Sequence, residues 1–256
     1  MRMVVLGATG TAGRLTAIEA RSRGHDVVAV SRSGGTVEGC RSARVDVGAD
    51  EALLDALVGA DVVIDTLNTS ARRRSGIRAF FVQSASAVST AAAALAVPRV
   101  VVLSIVGIDD IPYGYYEAKV AQESTYAAAD VPVTVVRTTQ FHEFVGQIIA
   151  GTTFGPVALV PRMRIQPLAA SDAATALVDA ATGPPSLRAA DVAGPQVHEL
   201  PALARRLIAS RGAATRVVAV PVPSRAGRMM AKGALLPKSG RCTDATFDDW
   251  LDRQAH

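Results

Sequence analysis

The chain has 256 residues, of which 49% are hydrophobic and 20% are charged, and its formal net charge is +4. This length accommodates one large domain with a small appended lobe, and the apolar fraction excludes a disordered chain. Because Lys and Arg are spread along the sequence, the positive charge favours a small anionic ligand and does not indicate nucleic-acid binding.

The distribution of apolar residues and cysteines further restricts the class of protein. The longest apolar region, residues 85–108, is interrupted by Pro98 and Arg99 and is too broken to span a bilayer. The N-terminus runs directly into a predicted strand and has no cleavage-site pattern. Cys40 and Cys242 lie far apart and show no ligand spacing, which indicates neither a disulfide framework nor a metal site. We therefore expect a cytoplasmic protein without a membrane segment or a metal.

Strand-like and helix-like segments alternate through the first 139 residues. Strands are predicted near 3–6, 26–30, 43–46, 61–66, 99–104 and 132–137, and helices near 11–23, 50–58, 76–96 and 115–129. This alternation predicts βαβ units and a parallel sheet, and the β-branched strands are typical of a sheet covered on both faces. The fold class is therefore α/β, a doubly wound parallel Rossmann sheet with a small C-terminal substrate lobe.

A glycine-rich loop, GATGTAG (7–13), follows the first strand and opens the first helix. Gly7 permits a turn with positive φ, Gly10 lets the backbone approach a phosphate, and Gly13 lets the helix pack closely on the strand. The helix N-terminus then points its amides at a pyrophosphate. We place Leu15 and Ile18 on the apolar face of this helix. The cofactor-binding residues predicted in the loop are Gly7, Thr9, Gly10, Thr11, Ala12 and Gly13.

The remaining predicted cofactor residues lie at the ends of the next strands. Ser31 and Arg32 follow the second strand, where a hydroxyl and a guanidinium suit a 2′-phosphate better than an acidic residue would. NADP(H) is therefore preferred, and NAD(H) is the less favoured cofactor. Parallel strands bind ligands at their C-terminal ends, which adds five further residues to the predicted cofactor site. These are Asp46, Val47, Thr66, Leu67 and Asn68.

The stretch LSIVGIDDIPYGYYEAKVAQE (103–123) carries the candidate chemistry. Tyr115 and Lys119 are four residues apart and share a helix face. An ammonium beside a phenol lowers the phenol's pKa from about 10, so that Tyr115 can donate a proton to a carbonyl that accepts hydride. Lys119 can also hold the nicotinamide ribose, and Ser104 ends its strand where it can hydrogen-bond the same substrate oxygen. Tyr116, three residues from Lys119, is the alternative phenol.

After residue 139 the pattern changes to short segments separated by Gly/Pro-rich connections. We predict a substrate-side lobe built mainly from 140–256 on a sheet core of about 1–139. The helix at 171–182 should still pack on the sheet, and 247–251 should form an amphipathic helix with Trp250 in the core. Gln140 and His142 follow the sixth strand and are the candidate substrate residues, with His142 a candidate proton relay.

Five segments together resemble the short-chain dehydrogenase/reductase superfamily and, within it, the atypical NmrA-like NAD(P)-binding group. They are GATGTAG (7–13), the 103–123 stretch, RTTQFHEF (137–144), and DVAGPQ (191–196) with a terminal FDDWL (247–251). The resemblance covers nearly the whole chain and implies one NAD(P)-binding Rossmann domain over 1–256. It also implies that Ser104, Tyr115 and Lys119 form a catalytic Ser-Tyr-Lys set.

Three functions follow from these observations. The first is an NADPH-dependent oxidoreductase that reduces a small carbonyl or quinone-like compound. The second is a non-catalytic redox sensor that binds NADP(H), and the third is a sugar-nucleotide epimerase. The expected partner is a small-molecule substrate, and the sequence is also compatible with an oligomer.

Overall fold

A computed structural model describes residues 1–48 and 50–254 of the chain. The helices are α1 (Thr11–Ser22), α2 (Asp50–Leu57), α3 (Arg74–Ala94), α4 (Gly114–Ala127), α5 (Glu143–Thr152), α6 (Ala170–Thr182), α7 (Leu200–Ser210), α8 (Arg225–Ala231) and α9 (Phe247–Gln254). The strands are β1 (Arg2–Leu6), β2 (Asp26–Ser31), β3 (Arg41–Arg44), β4 (Val62–Asp65), β5 (Val100–Ile105), β6 (Val133–Thr138), β7 (Thr153–Phe154), β8 (Val157–Pro161), β9 (Arg164–Ile165), β10 (Val192–Ala193), β11 (His198–Glu199), β12 (Arg216–Val220) and β13 (Arg241–Cys242).

The described residues divide into two compact units. Unit 1 comprises 1–104, 114–137 and 171–190, and unit 2 comprises 105–113, 138–170 and the chain from 191 onward. Within the described part of the chain, no helix is both long and apolar enough to cross a membrane.

In unit 1, six strands of the central sheet lie in the order β6-β5-β4-β1-β2-β3. β1 pairs in parallel with β2 and β4, β2 pairs in parallel with β3, and β4 with β5. The chain thus runs outward from β1 to β3, returns, and continues on the other side through β4. This reversal beside β1 creates a crevice at the C-terminal strand ends, where doubly wound sheets bind ligands. The predicted α/β class and doubly wound parallel sheet are confirmed.

Alternate strand residues build the core of unit 1. Val4, Val28, Val63 and Val100 point to one face, where they pack with residues of α2 and α3 such as Leu57. Their neighbours in the strands are buried on the other face. β-branched side chains suit such a sheet because each strand is covered on both sides.

Two local predictions differ from the structure. β3 lies two residues earlier than predicted, at Arg41–Arg44. The prediction that Leu15 and Ile18 form the apolar face of α1 is wrong, because Ile18 is 41% exposed and Leu15 is only half-buried. The buried residues of α1 are small ones, Ala12, Gly13, Thr16, Ala17 and Ala20. Small side chains let the helix approach the sheet closely, so size rather than hydrophobicity decides which face is buried.

Residues 171–182 of α6 belong to unit 1, the compact unit that also contains β1 to β4. Arg99, beside β5, donates through Nη1 to the carbonyl oxygens of Ala180 and Gly183, each at 2.7 Å. Arg23, just after α1, forms an ion pair with Asp179 at 2.7 Å. These contacts anchor the C-terminal part of α6 to residues at the end of α1 and just before β5.

Unit 2 contains short strands and helices. β12 pairs in parallel with β8, β7 pairs antiparallel with β8, and α7 packs on this small sheet. β9 and β11 form an antiparallel pair, and β10 pairs in parallel with β13. Trp250 of α9 is 7% exposed and packs against Phe247, so its predicted core position is confirmed.

Candidate functional site

The glycine loop turns tightly between β1 and α1. Gly7 has φ of +78°, a conformation that a side chain would strain. A Cβ built on Gly13 would lie 2.3 Å from the Gly7 carbonyl oxygen and 2.5 Å from Thr66 Oγ1. Gly10 is the N-cap of α1, and within the described residues no side-chain hydrogen bond caps this helix. The first-turn amides of α1 are therefore left for a ligand, at the positive end of the helix dipole.

The loop and the end of β2 lie side by side. Gly7 and Ala8 both donate their amides to the Val30 carbonyl at 3.0 Å. A Cβ built on Gly35 would lie 2.7 Å from the Thr9 methyl carbon. Thr9, Gly10 and Thr11 are exposed, while Ala12 is buried against the sheet. Hydroxyls and amides of this loop are thus accessible to a ligand.

The neighbouring ends of β2 and β3 present a hydroxyl and two guanidinium groups. Ser31 is 4% exposed, and its Oγ has no hydrogen-bond partner among residues 1–48 and 50–254. Arg32 is exposed, and its carbonyl accepts a 3.3 Å hydrogen bond from Arg44 Nε. Ser31 and Arg44 are register partners in β2 and β3. Ser31 and Arg32 are predicted cofactor residues from the sequence, whereas Arg44, twelve residues after Arg32, is not among them.

The other predicted cofactor residues lie at the ends of β3 and β4. Asp46 is exposed, whereas Val47 is 8% exposed and belongs to the core. Thr66 donates to the Leu6 carbonyl at 2.7 Å, which places it directly beside the glycine loop. Leu67 is half-buried and Asn68 is exposed.

Tyr115 is placed in the first turn of α4 by contacts with α3 and the β4 end. Its hydroxyl lies 3.1 Å from Asn68 Oδ1, to which it donates a hydrogen bond. The Phe81 ring meets the Tyr115 ring edge-on, with centroids 5.6 Å apart. Tyr115 is half-buried, whereas the alternative phenol Tyr116 is 7% exposed. Of the two, Tyr115 is the more accessible to a substrate.

Lys119 is almost completely enclosed, with 4% of its surface exposed. Its Nζ donates to the Leu103 carbonyl at 2.7 Å and to Gln122 Oε1 at 2.5 Å, and it lies 4.8 Å from the centroid of the Phe81 ring. These bonds use two of the three N–H groups of the ammonium. Burial lowers the Lys119 pKa to about 8, while the nearby carboxylate of Asp65 opposes this shift.

Ser104 lies at the end of β5, next to the residue whose carbonyl holds Lys119. It is 1% exposed, and its Oγ has no hydrogen-bond partner in the described part of the chain. A buried hydroxyl without a partner is costly in a protein that binds nothing, and a ligand oxygen would satisfy it. Leu103, the neighbour of Ser104, accepts a hydrogen bond from Lys119, and the Phe81 ring contacts both Lys119 and Tyr115, so the three predicted residues lie in one region of unit 1.

Helix α4 is fixed to β6 by a two-pronged ion pair. Arg137 donates Nε to Glu123 Oε1 at 2.9 Å and Nη2 to Oε2 at 2.6 Å, and only 3% of the Arg137 side chain is exposed. Glu123 lies one helical turn after Lys119. This geometry makes the ion pair a rigid support for the helix that carries Tyr115 and Lys119.

The two candidate substrate residues lie in unit 2. Gln140 is 9% exposed, and its side-chain oxygen and nitrogen have no partner among the described residues. His142 is the N-cap of α5 and packs against the rings of Phe247 and Trp250, at centroid distances of 5.4 and 5.8 Å. Burial lowers its pKa to about 4, so the imidazole is neutral at pH 7. Their roles toward a substrate stay predictions.

The low pKa of His142 has a consequence for stability. Between pH 4 and 6.5 the unfolded chain binds a proton at this histidine that the folded chain does not, so stability rises with pH across this window. Replacing His142 with Asn should reduce that rise by on the order of 1–2 kcal/mol. Denaturant unfolding at several pH values measures it. Equal pH dependence in both proteins would contradict the prediction.

The parallel sheet, the glycine loop and the uncapped helix N-terminus define a dinucleotide-binding protein of the Rossmann type. The sequence model of a NAD(P)H-binding family matches residues 7–154, more than half of the chain. The chain belongs to this NAD(P)H-binding family, which confirms the predicted NAD(P)-binding character. No curated protein sequence matches the chain significantly.

Several solved structures have a similar fold. A short-chain dehydrogenase/reductase superfamily protein from Agrobacterium tumefaciens with bound NAD has a TM-score of 0.75 at 16% identity, covering 100% of this chain and 96% of that one. An NADPH-dependent quinone oxidoreductase from Escherichia coli, complexed with NADPH, has 0.73 at 19%, covering 100% of both. A nucleoside-diphosphate-sugar epimerase from Pseudomonas aeruginosa has 0.75 at 19%, covering 98% and 95%. The fold is thus one used by both oxidoreductases and epimerases.

Proposed function

We propose that the protein is an NADPH-dependent reductase of a small carbonyl or quinone-like compound. The observation that carries the proposal is the cluster in unit 1 where Lys119 is buried, Tyr115 is accessible on the same helix, and the Ser104 hydroxyl is unsatisfied among the described residues. Burying an ammonium and leaving a buried hydroxyl without a partner both cost stability, which a ligand that binds these groups would offset. A site that must bind a polar oxygen and supply a proton needs both.

The residues of unit 1 fit the cofactor. The loop lacks Cβ atoms at Gly10 and Gly13, and the N-terminus of α1 offers its amides to the pyrophosphate. The buried Ser31 hydroxyl and the exposed Arg32 guanidinium would bind the 2′-phosphate of NADPH. When bound, the nicotinamide supplies the hydride for the substrate carbon. The third N–H of Lys119 would donate to a ribose hydroxyl.

Tyr115 is the proposed proton donor. As the substrate oxygen gains negative charge, the Tyr115 hydroxyl gives up its proton to that oxygen, and the hydrogen bond to Asn68 Oδ1 is exchanged for one to the substrate. Ser104 donates to the same oxygen and holds it in place. The ammonium of Lys119 stabilises the phenolate that remains on Tyr115. Proton donation of this kind contributes about 10² to 10⁴ in rate.

The direct test is a mixture of purified protein, NADPH and a panel of quinones and aldehydes. Loss of the absorbance of reduced nicotinamide, dependent on one class of acceptor, is the expected result. NADPH binding without turnover of any acceptor would favour a redox sensor. A cofactor that stays bound through purification and is regenerated in each turnover would favour an epimerase. Either outcome would overturn the reductase proposal.

Cofactor preference provides a separate prediction. Arg32→Ala should weaken NADPH binding about 10- to 100-fold and leave NADH nearly unchanged, because a charge-assisted contact to the 2′-phosphate is lost. Arg44→Ala, which removes the neighbouring guanidinium, should have a smaller effect in the same direction. Titration calorimetry with both cofactors measures this difference. Equal weakening of NADPH and NADH by Arg32→Ala would show that Arg32 does not contact the 2′-phosphate.

A further inference from the structure

Four buried polar side chains form a continuous hydrogen-bonded chain in unit 1. Lys119 Nζ donates to Gln122 Oε1 at 2.5 Å, and Gln122 Nε2 donates to Asp65 Oδ2 at 3.0 Å. The Tyr126 hydroxyl donates to the same carboxylate oxygen at 2.6 Å. None of the four residues is more than 4% exposed. Of the four, only Lys119 is a site residue predicted from the sequence.

Asp65 stands at the end of β4, where the preceding residues are apolar and buried. Its Oδ1 accepts the amide of Leu67 at 2.8 Å, so the carboxylate accepts three hydrogen bonds in total. A buried carboxylate is costly unless its hydrogen bonds are satisfied and a cation compensates its charge. The cation at the other end of this series of hydrogen bonds is Lys119.

The Gln122 amide is oriented by unlike charges at its two ends. Its oxygen faces the ammonium and its nitrogen faces the carboxylate, which is the arrangement that satisfies both groups. The amide therefore transmits the polarity of one charged group to the other through hydrogen bonds.

The other titratable groups around Lys119 provide less compensation. Glu123 lies on the same helix, but both its oxygens are bound by Arg137 of β6. Tyr115 and Tyr126 of α4 carry phenols, and the pKa of Tyr126 is raised well above its usual value, first by burial and then by the charge of Asp65. Asp65 is thus the acid that best compensates the charge of Lys119.

We infer that Asp65, acting through the Gln122 amide, is the counter-ion that keeps Lys119 protonated and in position for the proposed reduction. The catalytic part of this inference rests on the proposed function, whereas the effect of Asp65 on the protonation of Lys119 does not. Asp65 and Gln122 are then positioning residues. Through the Leu67 amide, Asp65 also holds the segment that carries Asn68, the partner of Tyr115.

Direct titration of Lys119 tests the effect of Asp65 on its protonation without any need for turnover. The chain has three lysines, Lys119, Lys232 and Lys238, and the latter two are exposed. In protein labelled with ¹³C at lysine Cε, Lys119 should therefore give one of three signals, assigned by its absence in Lys119→Arg.

Asp65→Asn should lower the midpoint of the Lys119 titration by about one pH unit or more, because the negative charge that favours the ammonium form is lost. Gln122→Leu keeps the acid but breaks the connection, and should lower the midpoint in the same direction. Asp61→Asn makes the same chemical change at an exposed position beside β4 and should leave it unchanged. An unchanged midpoint in both Asp65→Asn and Gln122→Leu would overturn the inference.

The catalytic part is tested by the pH profile of NADPH oxidation. In Asp65→Asn and Gln122→Leu, the alkaline fall of kcat should begin at a lower pH than in the parent protein, while Asp61→Asn keeps the parent profile. If the parent protein shows no turnover but the NMR midpoint moves, the proposed function fails and the counter-ion relation stands. If the parent protein is active and neither the midpoint nor the profile moves, the counter-ion inference fails alone.

Discussion

Replacing Gly13 with alanine is expected to abolish detectable NADPH binding. The new Cβ would lie 2.3 Å from the Gly7 carbonyl oxygen and 2.5 Å from Thr66 Oγ1, well inside van der Waals contact. Because one of these atoms belongs to the backbone, the loop or the helix must move. Overpacking of this kind costs about 1–3 kcal/mol of stability, and displacement of the phosphate-binding amides should lower NADPH affinity by more than about 100-fold.

Calorimetric titration with NADPH and thermal unfolding measure the two effects of Gly13→Ala separately. Gly10→Ala is the informative comparison, since its Cβ would lie 3.3 Å from the Gly7 oxygen, a contact that a small shift relieves. It should retain most of the stability yet weaken cofactor binding, because the methyl group intrudes where the backbone meets phosphate. Gly151→Ala, with no atom near its Cβ position, is the neutral control. Parent-like NADPH affinity in Gly13→Ala would contradict the assignment of this loop.

The sheet could be predicted from sequence because its strands are continuous β-branched runs separated by helix-length segments. Val27 to Val30 and Val100 to Val102, for example, leave no other way to bury both faces. The short strands of unit 2 could not be predicted. β10 and β13 have two residues each, and a segment of that length shows no periodicity.

The candidate site was predictable only where its residues share a local pattern. Tyr115 and Lys119 are four apart on one helix, and the glycines are within one loop. Asp65 and Gln122 are 57 residues apart, and nothing in either neighbourhood signals that they meet. Arg44 similarly reaches Arg32 only through the pairing of β2 with β3. Contacts of this kind depend on strand order and register, which sequence periodicity does not specify.

Tyr115→Phe is expected to lower kcat for NADPH oxidation by about 10² to 10⁴, the range that a positioned proton donor contributes. The substitution removes one hydroxyl and keeps the ring that meets Phe81 edge-on, so the fold and the surroundings of Lys119 should be preserved. NADPH affinity should therefore change little, since in the proposed site the phenol acts on the substrate oxygen. Stopped-flow traces with the best acceptor of the panel give kcat, and fluorescence quenching gives the cofactor Kd.

Two neighbouring tyrosines provide matched controls for Tyr115→Phe. Tyr116→Phe removes the hydroxyl of the alternative phenol, which is 7% exposed, and Tyr113→Phe removes that of a tyrosine that is 51% exposed. Both should keep kcat within about threefold of the parent, because neither phenol is placed to donate to the substrate. A large loss in Tyr116→Phe together with an active Tyr115→Phe would transfer the proton-donor role to Tyr116. Full activity in all three variants would mean that the proton comes from another group, and the role of α4 would then be confined to holding the cofactor.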